Sequence, residues 1–213
     1  MIWDSKGLLK ITDIPWLILF GSLWGINELI TGEFLFAQGM DHASLVLSAA
    51  AVFILAASRG MINKPGSSTL VGVFAVVFKF VHVAPFYCHL AAIFILGFIF
   101  DLFASIFLRK NAKSLVKQSL TGSASAFSSN ALFGFLMTYI FRYSYWISDG
   151  YQKMVDHIFI DGSLLAFLAL FLTPLGFKIG LSLKKVSSRQ PIWALAGSSA
   201  GAILIWILGS FAS

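Results

Sequence analysis

Seven stretches of this 213-residue chain are apolar enough to cross a lipid bilayer, and they leave little sequence for anything else. A helix needs about 20 apolar residues to cross the hydrocarbon core, because it rises only about 1.5 Å per residue. The second stretch is short for a crossing. The sequence therefore predicts an all-α, polytopic bundle of six to seven spans, and a single integral membrane domain over residues 1–213. The spans lie at about 14–30, 43–58, 69–85, 86–108, 119–141, 158–177 and 192–211.

The composition supports the same class of protein and excludes others. Charged residues make up 11% of the chain and hydrophobic residues 58%, whereas soluble domains carry about 25% charge. The net charge of +6 does not indicate a nucleic-acid partner, because the basic residues lie in loops beside the spans. The phenylalanines are accounted for by packing and lipid contact, so the sequence predicts the lipid bilayer as a partner and no cofactor.

The positions of lysine and arginine predict the orientation of the bundle. Cytoplasmic loops of membrane proteins are enriched in these residues. With the amino terminus in the cytoplasm, two basic residues fall outside, Arg142 and Lys153, and Lys79 falls inside a span. The residues on the inside are then Lys6, Lys10, Arg59, Lys64, Arg109, Lys110, Lys113, Lys117, Lys178, Lys184, Lys185 and Arg189. This asymmetry favours a cytoplasmic amino terminus, and the four bases in 109–118 favour contact with anionic headgroups or a cytoplasmic partner.

Three ionisable residues qualify by position as lying well inside predicted spans: Glu28, Lys79 and Asp101. Each is costly in a bilayer unless it is paired or hydrated, and each is therefore a candidate functional residue. From the helix rise, Lys79 and Glu28 differ in depth by roughly 6 Å, and Lys79 and Asp101 by roughly 9 Å. The sequence predicts a Glu28–Lys79 pair and leaves the role of Asp101 open.

The residues around this pair are candidates for binding a small molecule. His82 lies one turn from Lys79 on the same helix, and Asn27 and Asn130 add uncharged polar groups. Together with Glu28 and Lys79 they are predicted to line a polar pocket that opens outward and binds a small polar or anionic solute. A purely structural tie between Glu28 and Lys79 is the alternative.

All four histidines are predicted at the outer edge of the bundle, where a divalent metal would be conceivable. The spacing matches no metal-binding motif, so no metal site is predicted. The candidate ligands are His42, His82, His89 and His157.

Motifs of membrane enzymes are absent from the sequence. There is no DDxxD, no HExxH and no Walker sequence, and the segment Gly197-Ser198-Ser199-Ala200-Gly201 has no histidine after it to activate a serine. The sequence predicts a protein that is not an enzyme and that cannot itself use ATP to drive transport.

Glycine pairs spaced by four occur in three spans, at Gly21/Gly25, Gly176/Gly180 and Gly197/Gly201. Such pairs allow close approach of helices, either within the chain or with a partner subunit.

The arrangement, with Gly21-Ser22-Leu23-Trp24-Gly25 in the first span, resembles the substrate-binding S components of energy-coupling factor (ECF) vitamin transporters. The pattern Leu23-Trp24-Gly25-x-x-Glu28, with a lysine late in the third span and an acid in the fourth, is also similar to small uncharacterised bacterial membrane proteins. These resemblances cover residues 20–108, and S components usually have six helices where this chain has seven predicted spans.

The resemblance to S components implies a subunit in the bacterial cytoplasmic (inner) membrane that captures a vitamin or precursor from outside. It implies partners, a transmembrane coupling subunit and two ATPases, and places Gly21 and Gly25 at the docking surface. It also implies that Glu28, Lys79 and His82 line the pocket. Two other classes stay open: a structural or accessory subunit of a larger complex, and a divalent-metal or proton-linked carrier that uses the outer histidines.

Overall fold

The computed structural model describes residues 7–40, 42–82, 87–109, 112–148 and 150–212. Every regular element within these ranges is helical, which confirms the predicted all-α class. Short turns of other helix types flank the α-helices, a 3-10 turn at Ile11–Asp13 and π turns at Leu136–Ile140 and His157–Asp161. The α-helices are α1 Ile14–Ala37, α2 Ala43–Met61, α3 Ser67–His82, α4 Tyr87–Phe107, α5 Leu115–Phe135, α6 Ser144–Ile147, α7 Gly150–Asp156, α8 Gly162–Arg189 and α9 Pro191–Ala212.

Five helical segments of the described chain are long and apolar enough to cross a membrane, and each coincides with a predicted span. Helix α3 is apolar but has only 16 residues, and α5 carries serines and an asparagine that lower its hydropathy. The boundary predicted between the third and fourth spans lies outside the described residues. The number of crossings and the cytoplasmic amino terminus stay predictions. The five segments are Ile11–Leu35, Ala43–Met61, Tyr87–Phe107, Tyr151–Arg189 and Pro191–Phe211.

Six of the long helices form a closed ring. In order around the ring they are α1, α3, α4, α5, α8 and α2, and α2 returns to α1. Helix α9 packs outside this ring, mainly against α1. The side chains of Trp24, Phe100 and Phe177 are almost completely buried and come from three different helices of the ring. The predicted seventh span is thus an addition to a six-helix bundle.

The helices alternate in direction, so α1, α3, α5 and α9 begin at the end of the bundle where α2, α4 and α8 finish. Lys64, in the loop after α2, donates to Asp13 beside the start of α1, with 2.7 Å between Nζ and Oδ2. We call this the basic end, because Lys64, Lys113 and Lys178 all lie there. In the predicted orientation it faces the cytoplasm.

The tightest contact in the ring joins α2 to α8, which run in the same direction. A Cβ atom added to Gly176 would lie 2.6 Å from the Phe53 carbonyl oxygen, and one added to Gly180 would collide with the Ala57 carbonyl oxygen. Gly60 of α2 makes the reciprocal contact with the backbone of Phe177. The Gly176/Gly180 pair is therefore used for packing within the chain, where only a hydrogen atom fits between the two backbones.

Gly180→Ala is expected to lower the thermal unfolding temperature of the detergent-solubilised protein. Overpacking a filled contact costs about 1–3 kcal/mol, which exceeds the gain of about 1 kcal/mol for alanine over glycine in a helix. Gly197→Ala is the matched control, since nothing lies within 4 Å of a Cβ at that position of α9. Equal unfolding temperatures for the two variants would contradict this account of the α2–α8 contact.

Candidate functional site

Glu28 and Lys79 form a buried ion pair between α1 and α3, as the depth comparison predicts. Lys79 Nζ donates to Glu28 Oε2 at 2.9 Å, and about 10% of each side chain is exposed. Trp24, one turn before Glu28 on α1, donates its indole Nε1–H to Glu28 Oε1 at 3.3 Å. Each carboxylate oxygen of Glu28 therefore has one donor, and the carboxylate is held from both sides.

Two glycines bring α1 close enough to α3 for this pair to form. A Cβ atom added to Gly25 would lie 2.6 Å from the Phe78 ring, and one added to Gly21 would collide with the Phe74 side chain. The structure thus places both glycines in a contact within the chain, where the resemblance implies a docking surface for a partner. Their physical role is to let the helix backbones approach until Lys79 reaches Glu28.

His89, near the start of α4, completes the cluster. It is near enough to Lys79 and Glu28 to interact electrostatically with both. The sequence names His89 only as a metal candidate and does not connect it with the ion pair. The sequence did hold an indication that His89 lies near Lys79. His89 stands at the start of the next span, and the end of one helix lies at the same depth as the start of the antiparallel helix that follows. The candidate site thus has contributions from α1, α3 and α4.

Lys79 has more N–H donors than the described residues supply acceptors for. The ammonium group of Lys79 carries three N–H groups, and among the described residues only Glu28 accepts from it. Next to Glu28, Asn27 accepts from Thr31 Oγ1 at 3.1 Å, while its own Nδ2 is buried with no partner in the described part of the chain. An anionic or carbonyl group would supply the acceptor that this positively charged side chain lacks.

His82 is directed to α9 and not to the predicted pocket. Its Nδ1 lies 2.8 Å from the Phe78 carbonyl oxygen and its Nε2 lies 3.2 Å from the Trp206 carbonyl oxygen. Both ring nitrogens therefore face backbone carbonyl oxygens, and a neutral imidazole ring donates to one of them. A spacing of three residues turns a side chain about 60° away from its neighbour around the helix, which is enough to point His82 out of the ring. The solute-binding role predicted for His82 does not fit this placement.

Asn130 lies at the α5–α8 interface and not at the Glu28–Lys79 pair. Its Nδ2 donates to the Ala126 carbonyl oxygen of its own helix at 2.8 Å, and its Cβ lies against Gly162 of α8. On these contacts Asn130 belongs to the packing of two helices, and its predicted place in the pocket is not observed.

Asp101 pairs with Arg59 at the basic end of the bundle, not with Lys79. Arg59 Nη1 donates to Asp101 Oδ1 at 2.7 Å, and the arginine side chain is 1% exposed. The two oxygens of Asp101 also accept from backbone N–H groups at the start of α3, those of Gly66 at 2.8 Å and Ser68 at 3.0 Å. Asp101 therefore has a structural role, because its carboxylate caps α3 and neutralises a buried arginine.

The sequence missed Arg59 because the second span was drawn to end at residue 58. In the structure α2 continues to Met61, which draws Arg59 into the bundle. Its Nε donates to Asn63 Oδ1 at 3.0 Å and its Nη2 to Ser105 Oγ at 2.9 Å. The signal was present, since Arg59 and Asp101 stand near the same end of the second and fourth spans.

The histidines are spread over several places in the structure. His42 and His157 both contact Asp161, with 3.1 Å from His42 Nδ1 to Oδ1 and 3.3 Å from His157 Nδ1 to Oδ2. His82 and His89 lie in the separate contacts given above. Within the described ranges, no three His, Cys, Asp or Glu side chains are grouped to hold a metal ion.

No family model matches the chain, and comparisons with curated proteins and with solved structures find no significant match either. The class that the fold and the site define is a membrane protein built as a helical bundle, with a buried ion pair between two of its helices. The resemblance to ECF S components stays a prediction.

Asp101→Asn is expected to destabilise the protein strongly. Removing one member of a buried ion pair costs about 3–5 kcal/mol, because the arginine charge is left without compensation. The measurement is thermal unfolding of the purified protein in detergent.

Asp13→Asn provides the comparison, since it breaks an ion pair at the same end whose side chains are 13% and 18% exposed. Because this pair is somewhat more open to solvent and makes fewer contacts, its loss is expected to cost less than the loss of Asp101. A loss of stability for Asp101→Asn no greater than that for Asp13→Asn would contradict the structural role of Asp101.

Proposed function

We propose that this chain is a non-enzymatic membrane subunit that binds a small polar or anionic solute at the cluster of Trp24, Glu28, Lys79 and His89. The observation behind the proposal is the ammonium group of Lys79, which is buried and has one acceptor for three N–H groups among the described residues. The site would lie toward the outer end of the bundle in the predicted orientation, so that the solute is captured from outside.

Stability alone does not account for an ion pair in this position. Taking two charges out of water costs about as much as their attraction returns, and apolar side chains of similar volume are often as stable or more so. In a bilayer the cost is larger, and ionisable residues within spans mark solute or ion pathways by default. The pair is better explained by a ligand that uses its charge.

The geometry favours a carboxylate or phosphate as the group recognised. Lys79 supplies a point charge, and among the described residues one of its three N–H groups has an acceptor. Trp24 orients the Glu28 carboxylate, which in turn holds the ammonium group away from the backbone. A vitamin or vitamin precursor with an acidic group has this chemistry.

Release of the solute into the cell would need other subunits. The chain has no Walker sequence, so the energy would come from separate ATPases acting through a transmembrane coupling subunit, as the resemblance to S components implies. Gly21 and Gly25 already contact α3 within the chain. A coupling subunit would therefore bind a different surface from the one that the resemblance suggests.

An accessory subunit of a larger membrane complex is the second candidate function. The position of α9 supports it, because this helix lies outside the ring and Gly197 has open space around it. In that case Gly197→Leu would disturb assembly with the partner, and no small molecule would copurify.

Lys79→Ala is expected to abolish solute binding, and also to lower the unfolding temperature of the folded protein, because Glu28 is left buried without its partner. Truncating one partner of a buried charged contact costs about 2–5 kcal/mol, which corresponds to a loss of affinity of about 30-fold or more. Native mass spectrometry of gently purified protein would show the bound small molecule of the wild type and its loss in the variant.

Lys64→Ala is the matched control, since it removes a lysine from an ion pair at the opposite end of the bundle. It is expected to keep the bound molecule. Retention of the same molecule by folded Lys79→Ala would overturn the proposed site, and a wild type that carries only a partner protein would favour the accessory role.

A further inference from the structure

A groove of about 620 Å³ opens at the basic end between the start of α5 and the second half of α8. Neither Glu28 nor Lys79 lines it, so it is separate from the candidate solute site. Three lysines and several apolar side chains form its walls. The residues that matter for its chemistry are Lys113, Leu115, Leu175, Lys178 and Lys185.

The groove is fixed in place by a close contact between the two helices. Pro174 has no N–H group, so it cannot donate to the Leu170 carbonyl oxygen one turn earlier in α8. Ser119 Oγ of α5 takes that place and donates to the Leu170 oxygen at 2.7 Å. Gly122 packs directly on Thr173, which leaves no space for a side chain there. Pro174 itself forms part of the groove wall, just beyond this contact.

The positive charge of the groove follows from helical spacing. Lys178 and Lys185 are seven residues apart on α8 and so lie on one face, while Lys113 stands on the opposite wall just before α5. Ser114 is the N-cap of α5, so the positive end of that helix dipole lies beside Lys113. Three like charges around one concave surface attract an anion.

The chain supplies no counter-ion to these lysines among its described residues. No acidic side chain lines the groove. The two described acidic side chains at this end are already paired, Asp13 with Lys64 and Asp101 with Arg59. Among the described residues, the lysines of the groove therefore have no acidic partner.

The rest of the groove indicates what kind of molecule this is. Leu115 is 67% exposed and Leu175 is 51% exposed, and both line the groove beside the lysines. A phosphate group with attached acyl chains uses both parts of such a surface, the lysines for the phosphate and the leucines for the chains. Free phosphate has the same charge chemistry but makes no use of the exposed leucines.

We propose that this groove binds the headgroup of an anionic phospholipid from the membrane leaflet at the basic end. The phosphate is bound by Lys113, Lys178 and Lys185. The part of the acyl chains nearest the headgroup contacts Leu115 and Leu175. Each lysine near an anionic membrane surface contributes about fivefold in affinity, so the three together contribute about 100-fold.

The test is a titration of the full-length protein in detergent with phosphatidylglycerol, followed by native mass spectrometry. Lys113→Gln/Lys178→Gln/Lys185→Gln is expected to weaken binding by about 100-fold, and each single variant by about fivefold. The control is Lys117→Gln/Lys184→Gln/Arg189→Gln, which removes the same charge from the same two helices at positions that do not line the groove. The control is expected to bind as the wild type does.

Two comparisons separate the lipid from other sources of the anion. Phosphatidylcholine, whose headgroup has no net charge, is expected to bind weakly, and inorganic phosphate is expected not to displace phosphatidylglycerol. Equal weakening in the groove variant and the control would overturn the site, since the effect would then be one of total charge. Displacement by inorganic phosphate, or equal binding of phosphatidylcholine, would overturn the assignment to an anionic lipid. The single variants keep the test decisive if the triple variant fails to fold.

Discussion

The buried guanidinium of Arg59 is the interaction on which the rest of the structure depends. It is planar, always charged and carries five N–H groups, so it can bind several acceptors that a lysine could not reach at once. Besides Asp101, its acceptors include Ser67 Oγ at 3.0 Å and the Lys64 carbonyl oxygen. These contacts join the end of α2, the loop that follows it, the start of α3 and the middle of α4. A loop carbonyl group without a hydrogen-bond donor would be unstable at the edge of a bilayer. Arg59 supplies the donor for the carbonyl group of Lys64.

Helix α3 connects this network with the candidate solute site. The 16 residues described for this helix span about 24 Å. Asp101 holds the backbone at its start, and the Glu28–Lys79 pair lies near its end. Polar contacts thus hold α3 near both ends of its described length.

The sequence predicts those parts of the structure that depend on depth and periodicity. The pairing of Glu28 with Lys79 follows from the rise per residue, because two charges at one depth in a bilayer must meet or be hydrated. Arg59 was missed because the rule that places basic residues in cytoplasmic loops also hides an arginine that belongs to the bundle.

The contact of His82 with Trp206 could not be foreseen from spacing. It joins residues 124 positions apart, and nothing in the local pattern shows that α9 packs outside the ring. The same holds for Gly21 and Gly25, since a glycine pair shows that a close contact exists and not which helix makes it.

The order of helices around the ring has a consequence for how the protein is made. Helix α2 is synthesised early, yet one of its two neighbours in the ring is α8, which begins at residue 162. The ribosome therefore makes α2 before α8 exists to cover the surface around Gly60, and before Asp101 exists to pair with Arg59. Asp101, which pairs with that arginine, follows soon after in α4. Helix α8 comes much later in the chain, so the face of α2 that carries Gly60 lacks this neighbour until α8 is made.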